Sequence, residues 1–390
     1  MIWKLAWRNI RGAGLRSVIN VGIIALVMMG IIWMQGMYSG WMKTAERQSR
    51  EWQNGDGRYT HKSYDRFDPF SWDKSYASVP EELLPLVENG DAVPVLISQG
   101  VIYPDGRMIS VTIKGIPSRQ KLLKLPTAKL GTESEYIPAL IGANMAKSSH
   151  LNEGDVVTLR WRDVYGAFNA ADIIIAEIMK TPYAEVDHGQ IWIDLERLQS
   201  MKDADGSATF IIMRDSSKLI KIEADWVFLS IYDLMADMRE IMKTERVQAF
   251  IMYAILLFLA MIAIFDTQVL AVFKRRKEIG TFTALGMTQR AIIRMFTLEG
   301  MMYAVLASVT ALIVGAPLFL YFGSKGWKVP ESYASFGIEG YSDAIVFHYS
   351  PAMIISTVII VIMITAIVSW IPTLRIARLK PTDALRGRLS

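Results

Sequence analysis

The sequence predicts an integral membrane protein with four transmembrane helices and a large extracytoplasmic α+β domain between the first two. Three observations predict this fold class: four long apolar stretches, basic clusters that alternate with them, and an intervening segment (42–230) of ordinary globular composition. The chain of 390 residues is 52% hydrophobic with a mean hydropathy of +0.26, more apolar than a typical soluble domain. We therefore expect the apolar excess to lie in the spans.

Each span is predicted from length, because roughly 20 apolar residues are needed to cross about 30 Å of hydrocarbon. Trp33, Tyr38 and Trp41 mark the outer end of the first span, where aromatic residues favour the interface. A cleaved signal peptide is the alternative for this segment, but the apolar run is long and no A-x-A-like site follows it. The predicted spans are 18–41 with a short outward extension, 231–273 with a preceding stalk helix, 292–322 and 351–374.

Basic residues predict the orientation, because lysine and arginine collect on the cytoplasmic side. They cluster before the first span, between the second and third, and after the fourth. Both termini are therefore predicted to be cytoplasmic. The remaining segments are a cytoplasmic amphipathic helix (1–17), a cytoplasmic coupling loop (274–291), a short extracytoplasmic loop (323–350) and a cytoplasmic tail (375–390).

The domain at 42–230 alternates β-branched runs, turn residues and short helical patterns, which indicates a mixed α+β fold without fixing its strand order. The predicted strands are Val93–Ser98, Met108–Gly115, Asp155–Trp161, Asp172–Ile178, Gln190–Ile193 and Thr209–Met213. The predicted helices are Pro80–Val87, Ser118–Leu123, Leu195–Met201 and Ser217–Ala224.

The stalk helix, Ile231–Ala249, is predicted from apolar residues at helical spacing that lead directly into the second span. Met238, Ile241, Met242 and Glu245 lie on this pattern. A continuous helix is stiff, so the stalk would connect the external domain firmly to the bilayer. The alternative is that the helix only caps the domain.

The coupling loop contains a short basic helical segment in which Gly280 and Gly286 bracket an apolar turn. Such a segment suits a groove in a cytosolic partner, and it suits equally an interfacial helix stabilised by lipid. Residues alone leave both interpretations open.

The pattern R-x-x-E-I-G-x-x-x-A-L-G-M-T at Arg275–Thr288 resembles the coupling-helix signature of type VII ABC transporter permeases, the FtsX/MacB/LolC-LolE superfamily. Leu5–Arg11 and Arg378–Arg386 are similar to the opening and closing helices of that superfamily. Asp237–Arg246, and Ile141–Ala146 followed by Gly154–Leu159, look most like the lipoprotein-releasing LolC/LolE permeases.

The resemblance implies a permease subunit of the bacterial cytoplasmic (inner) membrane that works with separate ABC ATPase subunits and with a second permease copy, identical or different. ATP and Mg²⁺ would be bound by the partner ATPase, and the substrate would be a lipoprotein or another amphipathic envelope molecule. The residues that would transmit force from the ATPase are Arg275, Glu278, Ile279, Gly280, Ala284, Leu285 and Gly286.

Motifs for catalysis do not occur in the chain. It has no P-loop pattern, no G-x-S-x-G elbow and no H-E-x-x-H. It has no cysteine, and its four histidines are too widely separated to show metal-ligand spacing. We therefore predict no catalytic residue, metal or cofactor in this chain, and no nucleic-acid partner.

Two polar residues fall within the second span. Asp266 is costly there, since a carboxylate near the bilayer centre costs roughly 3 kcal/mol. We expect a polar contact across a helix interface, beside Thr267 or Gln268; the alternative is that Asp266 points to the cytosolic headgroups or is protonated.

Three other functions compete with lipoprotein release. One is a MacB-like efflux permease that works with an adaptor protein, and a second is an FtsX-like regulator of an extracytoplasmic cell-wall hydrolase. The third is a membrane sensor without an ATPase. Copurification of a lipoprotein, an adaptor or a hydrolase would separate them.

Overall fold

The computed structural model describes residues 14–72, 74–132, 134–220, 225–328 and 344–376, together with Arg8, Gly12 and Ile222. Most of the predicted cytoplasmic helix (1–17), short extracytoplasmic loop (323–350) and cytoplasmic tail (375–390) lies outside these residues. The chain divides into two compact units. The helical unit comprises Met1–Trp41, Met242–Trp327 and Val346–Ser390, and the sheet domain comprises Met42–Ile241 with Lys328–Ile345.

Among the described residues, four helices are long and apolar enough to cross a membrane, as the sequence predicts. A fifth, short helix lies between the second and third of them. The helices are α1 (Leu15–Ser49), α2 (Ala236–Lys274), α3 (Arg276–Ala284), α4 (Gln289–Lys325) and α5 (Pro351–Ile376).

The core of the helical unit is built where small residues of α4 let neighbouring helices approach closely. Ala304, Ala307 and Ala311 on α4 are almost fully buried. Gly300 has no room for a side chain, because an added Cβ would overlap Ser369 on α5. The larger residues of this core are Ile24, Met28, Ile264, Met302, Tyr303, Val361 and Val368.

The sheet domain contains one nine-stranded sheet and a two-stranded sheet. The strands are β1 (Gly57–His61), β2 (Ala77–Ser78), β3 (Ala92–Ile102), β4 (Ile109–Ile116), β5 (Ile137–Gly142), β6 (Val156–Arg162), β7 (Phe168–Met179), β8 (Gln190–Asp194), β9 (Ser207–Ala208), β10 (Phe210–Met213) and β11 (Trp226–Ser230). The large sheet has the order β11-β1-β10-β3-β4-β8-β5-β7-β6, and β6 also pairs with β3, so the sheet curls back on itself. β2 pairs with β9.

One core of the domain lies around β1, β10 and β11. Alternation along the central strands divides the rest of the interior into two further cores, because successive side chains point to opposite faces. On β8, Ile191 and Ile193 belong to one core and Trp192 to the other. On β3, Leu96 and Ile97 divide in the same way. Lys114 on β4 is buried between Ile113 and Gly115, on the Trp192 side of the sheet.

All six predicted strands are present, and the helix Leu195–Met201 has the predicted bounds. The segment Pro80–Val87 forms a 3₁₀ turn at Glu81–Leu83 followed by a helix at Leu84–Glu88. Strands β1, β2, β5, β9 and β11 were not predicted, nor were the helices Pro69–Trp72, Ala143–Ser149 and Ala184–Asp187.

Two predicted helices are wrong. Ser118–Leu123 is a loop, because the side-chain oxygen of Gln120 accepts hydrogen bonds from the amides of Leu122 and Leu123 and so competes with helical pairing. The segment predicted as the helix Ser217–Ala224 contains only the end of a 3₁₀ turn, Ser216–Lys218, capped by Asp215. Residues 221, 223 and 224 lie outside the described residues.

The stalk differs in detail from the prediction of one helix over Ile231–Ala249. A single helical turn, Ile231–Leu234, comes first, and α2 begins at Ala236. Ser230 and Asp233 form a capping box that fixes the start of this turn. Met235 leaves helical geometry (φ −99°, ψ 16°), so the stalk is divided by one non-helical residue.

Candidate functional site

The coupling loop is organised by two caps. Gly286 follows α3 with a φ of +91°, a conformation that glycine adopts far more readily than other residues. Two residues later, the side chain of Thr288 accepts a hydrogen bond from the amide of Ala291 and so caps the start of α4. The letters L-G-M-T of the signature therefore encode a sharp turn between two helices.

One side of α3 is fixed to the rest of the helical unit. Ile279 is 5% exposed and packs with Ile292, Met295 and Phe296 of α4. Gly280 is also buried. α3 therefore rests on the first turns of α4 and cannot move without displacing them.

The other side of the loop is open. The side chain of Glu278 is 64% exposed, and Leu285 is 80% exposed. Ala284 and Gly286 are exposed beside Leu285. An apolar side chain presented in this way at the tip of a turn is available for a partner surface.

Arg275, which precedes α3, is held by an ion pair with α4. One of its terminal guanidinium nitrogens lies 3.2 Å from Oε2 of Glu299 on α4, and its Nε lies 4.0 Å from Oε2 of Glu278. The side chain of Glu299 is only 3% exposed. Arg275 thus links α3 to a buried carboxylate of the third span.

The seven predicted coupling residues therefore have three different roles in the structure. Arg275, Ile279 and Gly280 hold the loop in place, whereas Glu278, Ala284 and Leu285 face outward, and Gly286 makes the turn. Sequence reasoning missed Glu299. The signal was available: an acidic residue within an apolar span requires a partner, and basic residues end the preceding span.

A polar cluster surrounds this anchor, next to a cavity of about 300 Å³. Asn20 of α1 donates to the hydroxyl of Thr267 on α2 at 3.0 Å, and Arg16 donates to the carbonyl oxygen of Thr267 at 2.5 Å. Ser17 and Tyr303 share a hydrogen bond of 3.2 Å. Three spans are therefore cross-linked by polar contacts at one end, which the sequence had not indicated.

Asp266 and Gln268 have different environments. Gln268 is 2% exposed, and its Oε1 has no hydrogen-bond partner in the described part of the chain. Asp266 is exposed. It makes neither a hydrogen bond nor an ion pair with any residue that the structure describes. The contact across a helix interface that we expected for Asp266 is made by its neighbour Thr267 instead.

The predicted stalk residues also divide. Met238 packs against Ala45, Ile231 and Met235 in a small apolar cluster of the sheet domain. Met242 is buried, Glu245 is half-buried, and Ile241 is 58% exposed.

The four long apolar helices define a multi-pass membrane protein. The short helix α3, held by the Arg275–Glu299 pair, presents exposed residues that a partner could contact. Residues 250–381, about a third of the chain, match the family described as FtsX-like permease C-terminal. The match covers most of α2 together with α3, α4 and α5, and it supports an ABC transporter permease of the type VII superfamily. No curated protein matches the chain.

Proposed function

We propose that this chain is the permease subunit of an ABC transporter and that the exposed side of its coupling loop docks on a separate ATPase subunit. The observation that carries the proposal is the division of the signature residues: Ile279 is packed while Leu285 is 80% exposed. A loop that is packed against α4 on one side and exposed to a partner on the other can transmit a push from that partner to α4 without rearranging.

The proposed path of force begins at α3. Ile279 and the Arg275–Glu299 pair join α3 to α4, so a displacement of α3 acts on the third span. Arg275 directly follows α2, which runs without interruption from Ala236 to Lys274. We propose that α2 carries the motion toward the sheet domain.

The proposed substrate is a lipoprotein or another amphipathic envelope molecule, handled at the outer leaflet by two permease copies in a bacterial inner membrane. The distribution of polar side chains supports handling outside a pore. Within the described residues, the polar cluster of Arg16, Asn20 and Gln268 lies at one end of the spans, and the helix core beyond it is mainly apolar. Farther along the described spans, the buried hydroxyls of Ser308 and Thr365 donate to carbonyl oxygens of their own helices, which favours handling of the substrate outside a pore.

Copurification with the cognate ATPase, the product of a neighbouring reading frame, tests the docking. Leu285→Asp should reduce the amount of ATPase recovered at least tenfold, because a charge replaces the apolar tip. Leu219→Asp is a matched control, since Leu219 is an exposed leucine of the sheet domain. Equal ATPase recovery with wild type and Leu285→Asp would contradict the docking.

Labelling tests the orientation. The chain has no native cysteine, so single substitutions give unambiguous sites. Glu278→Cys should react with a membrane-impermeant maleimide only after the cells are lysed. Lys129→Cys should react in cells whose outer membrane is permeabilised while the inner membrane stays intact. The opposite pattern would overturn the proposed topology.

A further inference from the structure

The sheet domain contains a cavity of about 690 Å³ that the transport proposal does not use. Its volume falls within the range of small-molecule binding sites, roughly 300–1,000 Å³. Its walls come from β1, β3, β4, β8 and β10, and from the loop that follows β1. Aromatic side chains contribute much of the lining: Tyr64, Trp72, Tyr183 and Phe210.

Lys114 lies at the buried end of this cavity and is 4% exposed. Its Nζ lies 4.8 Å from the ring centre of Trp192, a cation–π contact. In the described part of the chain it has no hydrogen bond and no ion pair. Its neighbours across the sheet, Ile97 and Trp192, are themselves buried.

Arg58 supplies a second buried cation from β1 and is 6% exposed. One terminal nitrogen donates to Oδ1 of Asn54 at 3.1 Å, and the guanidinium lies 3.6 Å from the ring centre of Phe210. Its Nε is buried and has no partner in the described chain. Neither cation is therefore neutralised by a carboxylate in contact with it.

Among the described residues, none of the acidic side chains that line the cavity pairs with Lys114 or Arg58; these side chains are Asp65, Glu185, Asp233 and Asp237. Glu185 and Asp237 both pair with Arg66, at 2.5 Å and 3.2 Å, and both side chains are largely exposed. The pKa of Lys114 is lowered to about 7, mainly by burial; the charge of Glu185 opposes this shift, and the charges of Arg58 and Arg66 add to it. Burial likewise lowers the pKa of Arg58 to about 10, so Arg58 stays charged at neutral pH.

Other buried polar atoms on the same lining strands also lack partners. The hydroxyl of Thr60, the indole N–H of Trp192 and the side-chain oxygen of Gln190 are buried without a hydrogen bond in the described chain. Thr60 and Gln190 line the cavity, and Trp192 faces Lys114. The Thr60 hydroxyl and the Trp192 indole N–H can donate to an anion, whereas the Gln190 oxygen can only accept. Two buried cations without a carboxylate partner are costly in a folded domain unless an anion completes them.

We propose that this cavity binds an anionic group, a phosphate or carboxylate, carried on an apolar or aromatic body. Arg58 and Lys114 would hold the anion, and Phe210, Tyr64 and Tyr183 would contact the body. A lipid headgroup and a soluble phosphorylated or carboxylated compound share this chemistry. The inference goes beyond the proposed transport function and does not require an ATPase.

Calorimetric titration of the full chain in zwitterionic lipid nanodiscs tests the proposal. The probes are inorganic phosphate, benzoate and the soluble short-chain lipid dihexanoyl phosphatidic acid. At least one should bind the wild type, and Lys114→Met should weaken that binding at least tenfold. Lys180→Met is the matched control, because Lys180 is an exposed lysine outside the cavity lining and should leave binding unchanged.

The outcomes separate the sources of the anion. Binding of phosphate or benzoate that depends on Lys114 supports a soluble ligand, and binding of the lipid alone supports a headgroup. Arg58→Lys keeps the positive charge but loses the planar guanidinium that can form two parallel hydrogen bonds. As a single substitution, it should also weaken binding of the same probe. Absence of binding by every probe, or binding that Lys114→Met leaves unchanged, would overturn the proposal. ATPase recovery does not enter any of these measurements, so failure here leaves the transport proposal intact.

Discussion

The helical unit and the sheet domain treat buried charge in opposite ways. In the helical unit, Arg275 is paired with the buried carboxylate of Glu299. In the sheet domain, Lys114 and Arg58 are buried without a carboxylate in contact. The first arrangement is complete within the chain and serves as a fixed mechanical link. The second lacks a counter-charge within the described chain, which suits a site that binds an anion reversibly.

The difference follows from the surroundings of each unit. Glu299 is buried in an apolar span, where a carboxylate needs a partner supplied by the protein, and Arg275 supplies it from the start of the coupling loop. A domain in water can exchange solvent for a ligand, and the cost of two buried cations is then recovered on binding.

The largest effect of a change in charge is expected at the ion pair of the helical unit. Glu299→Ala leaves Arg275 without its partner next to the apolar core, and breaking a buried pair costs about 3 kcal/mol or more. The free energy of unfolding, measured by denaturant titration in detergent, should fall by about that amount. Glu278→Ala removes the weaker and largely exposed partner and should cost less than about 0.5 kcal/mol.

The double variant Arg275→Met/Glu299→Met sharpens this test. Removing both charges leaves no unpaired group, so its loss should be smaller than that of Glu299→Ala alone. If Glu299→Ala costs no more than Glu278→Ala, the pair is not the anchor described above.

The second effect is the pH dependence of the sheet domain. The pKa of Lys114 falls from 10.5 to about 7 on folding, so between these values the unfolded chain binds one proton more. Stability should therefore rise with pH, by about 2 kcal/mol between pH 7 and pH 9. Burial keeps Tyr64 and Tyr183 neutral in this window, since it raises both pKa values.

Thermal unfolding in a buffer free of phosphate and carboxylate measures this slope. Lys114→Met should remove the slope and raise the melting temperature at pH 7, while Lys180→Met should keep it. A slope that persists in Lys114→Met would show that Lys114 is neutralised within the fold, and the contrast with Arg275 would disappear.

A third, smaller effect is expected where α4 meets α5. Gly300→Ala places a methyl group against Ser369, and overpacking of this kind costs about 1–3 kcal/mol. Adding Ser369→Gly to the Gly300→Ala variant should recover the lost stability, because it removes the side chain that the new methyl group meets. Gly30→Ala is the matched control, because a Cβ there meets nothing within 4 Å. Equal stability of the Gly300→Ala and Gly30→Ala variants would contradict the close helix contact.

Hydropathy and helical periodicity predicted the four long helices, because a membrane span depends mainly on composition. β-branched runs bounded by turn residues predicted β3, β4, β6, β7, β8 and β10, because both signals are local in the sequence. β1 was missed because Arg58 and Thr60 point into the core and give the strand a polar pattern. Position 120 was misread because a glutamine side chain replaced the backbone pairing of a helix.

The candidate site was predictable only in part. The signature Arg275–Thr288 located the coupling loop, but it could not show which of its residues are packed and which are free. That division depends on the contact of Ile279 with Phe296 of α4, which sequence order does not reveal. The cavity beside Lys114 was not predicted, because it assembles residues from strands far apart in the chain.

The smallest effect on stability is expected at the exposed tip of the coupling loop. Leu285→Ala should change the free energy of unfolding by less than about 0.5 kcal/mol, because Leu285 is 80% exposed and loses little packing. Ile279→Ala removes a buried side chain from the same loop and should cost about 2–5 kcal/mol. Denaturant titration of both variants in the absence of the ATPase measures the difference. A loss at Leu285 equal to that at Ile279 would mean that the tip is part of the fold, and the proposed docking surface would then be unavailable to any partner.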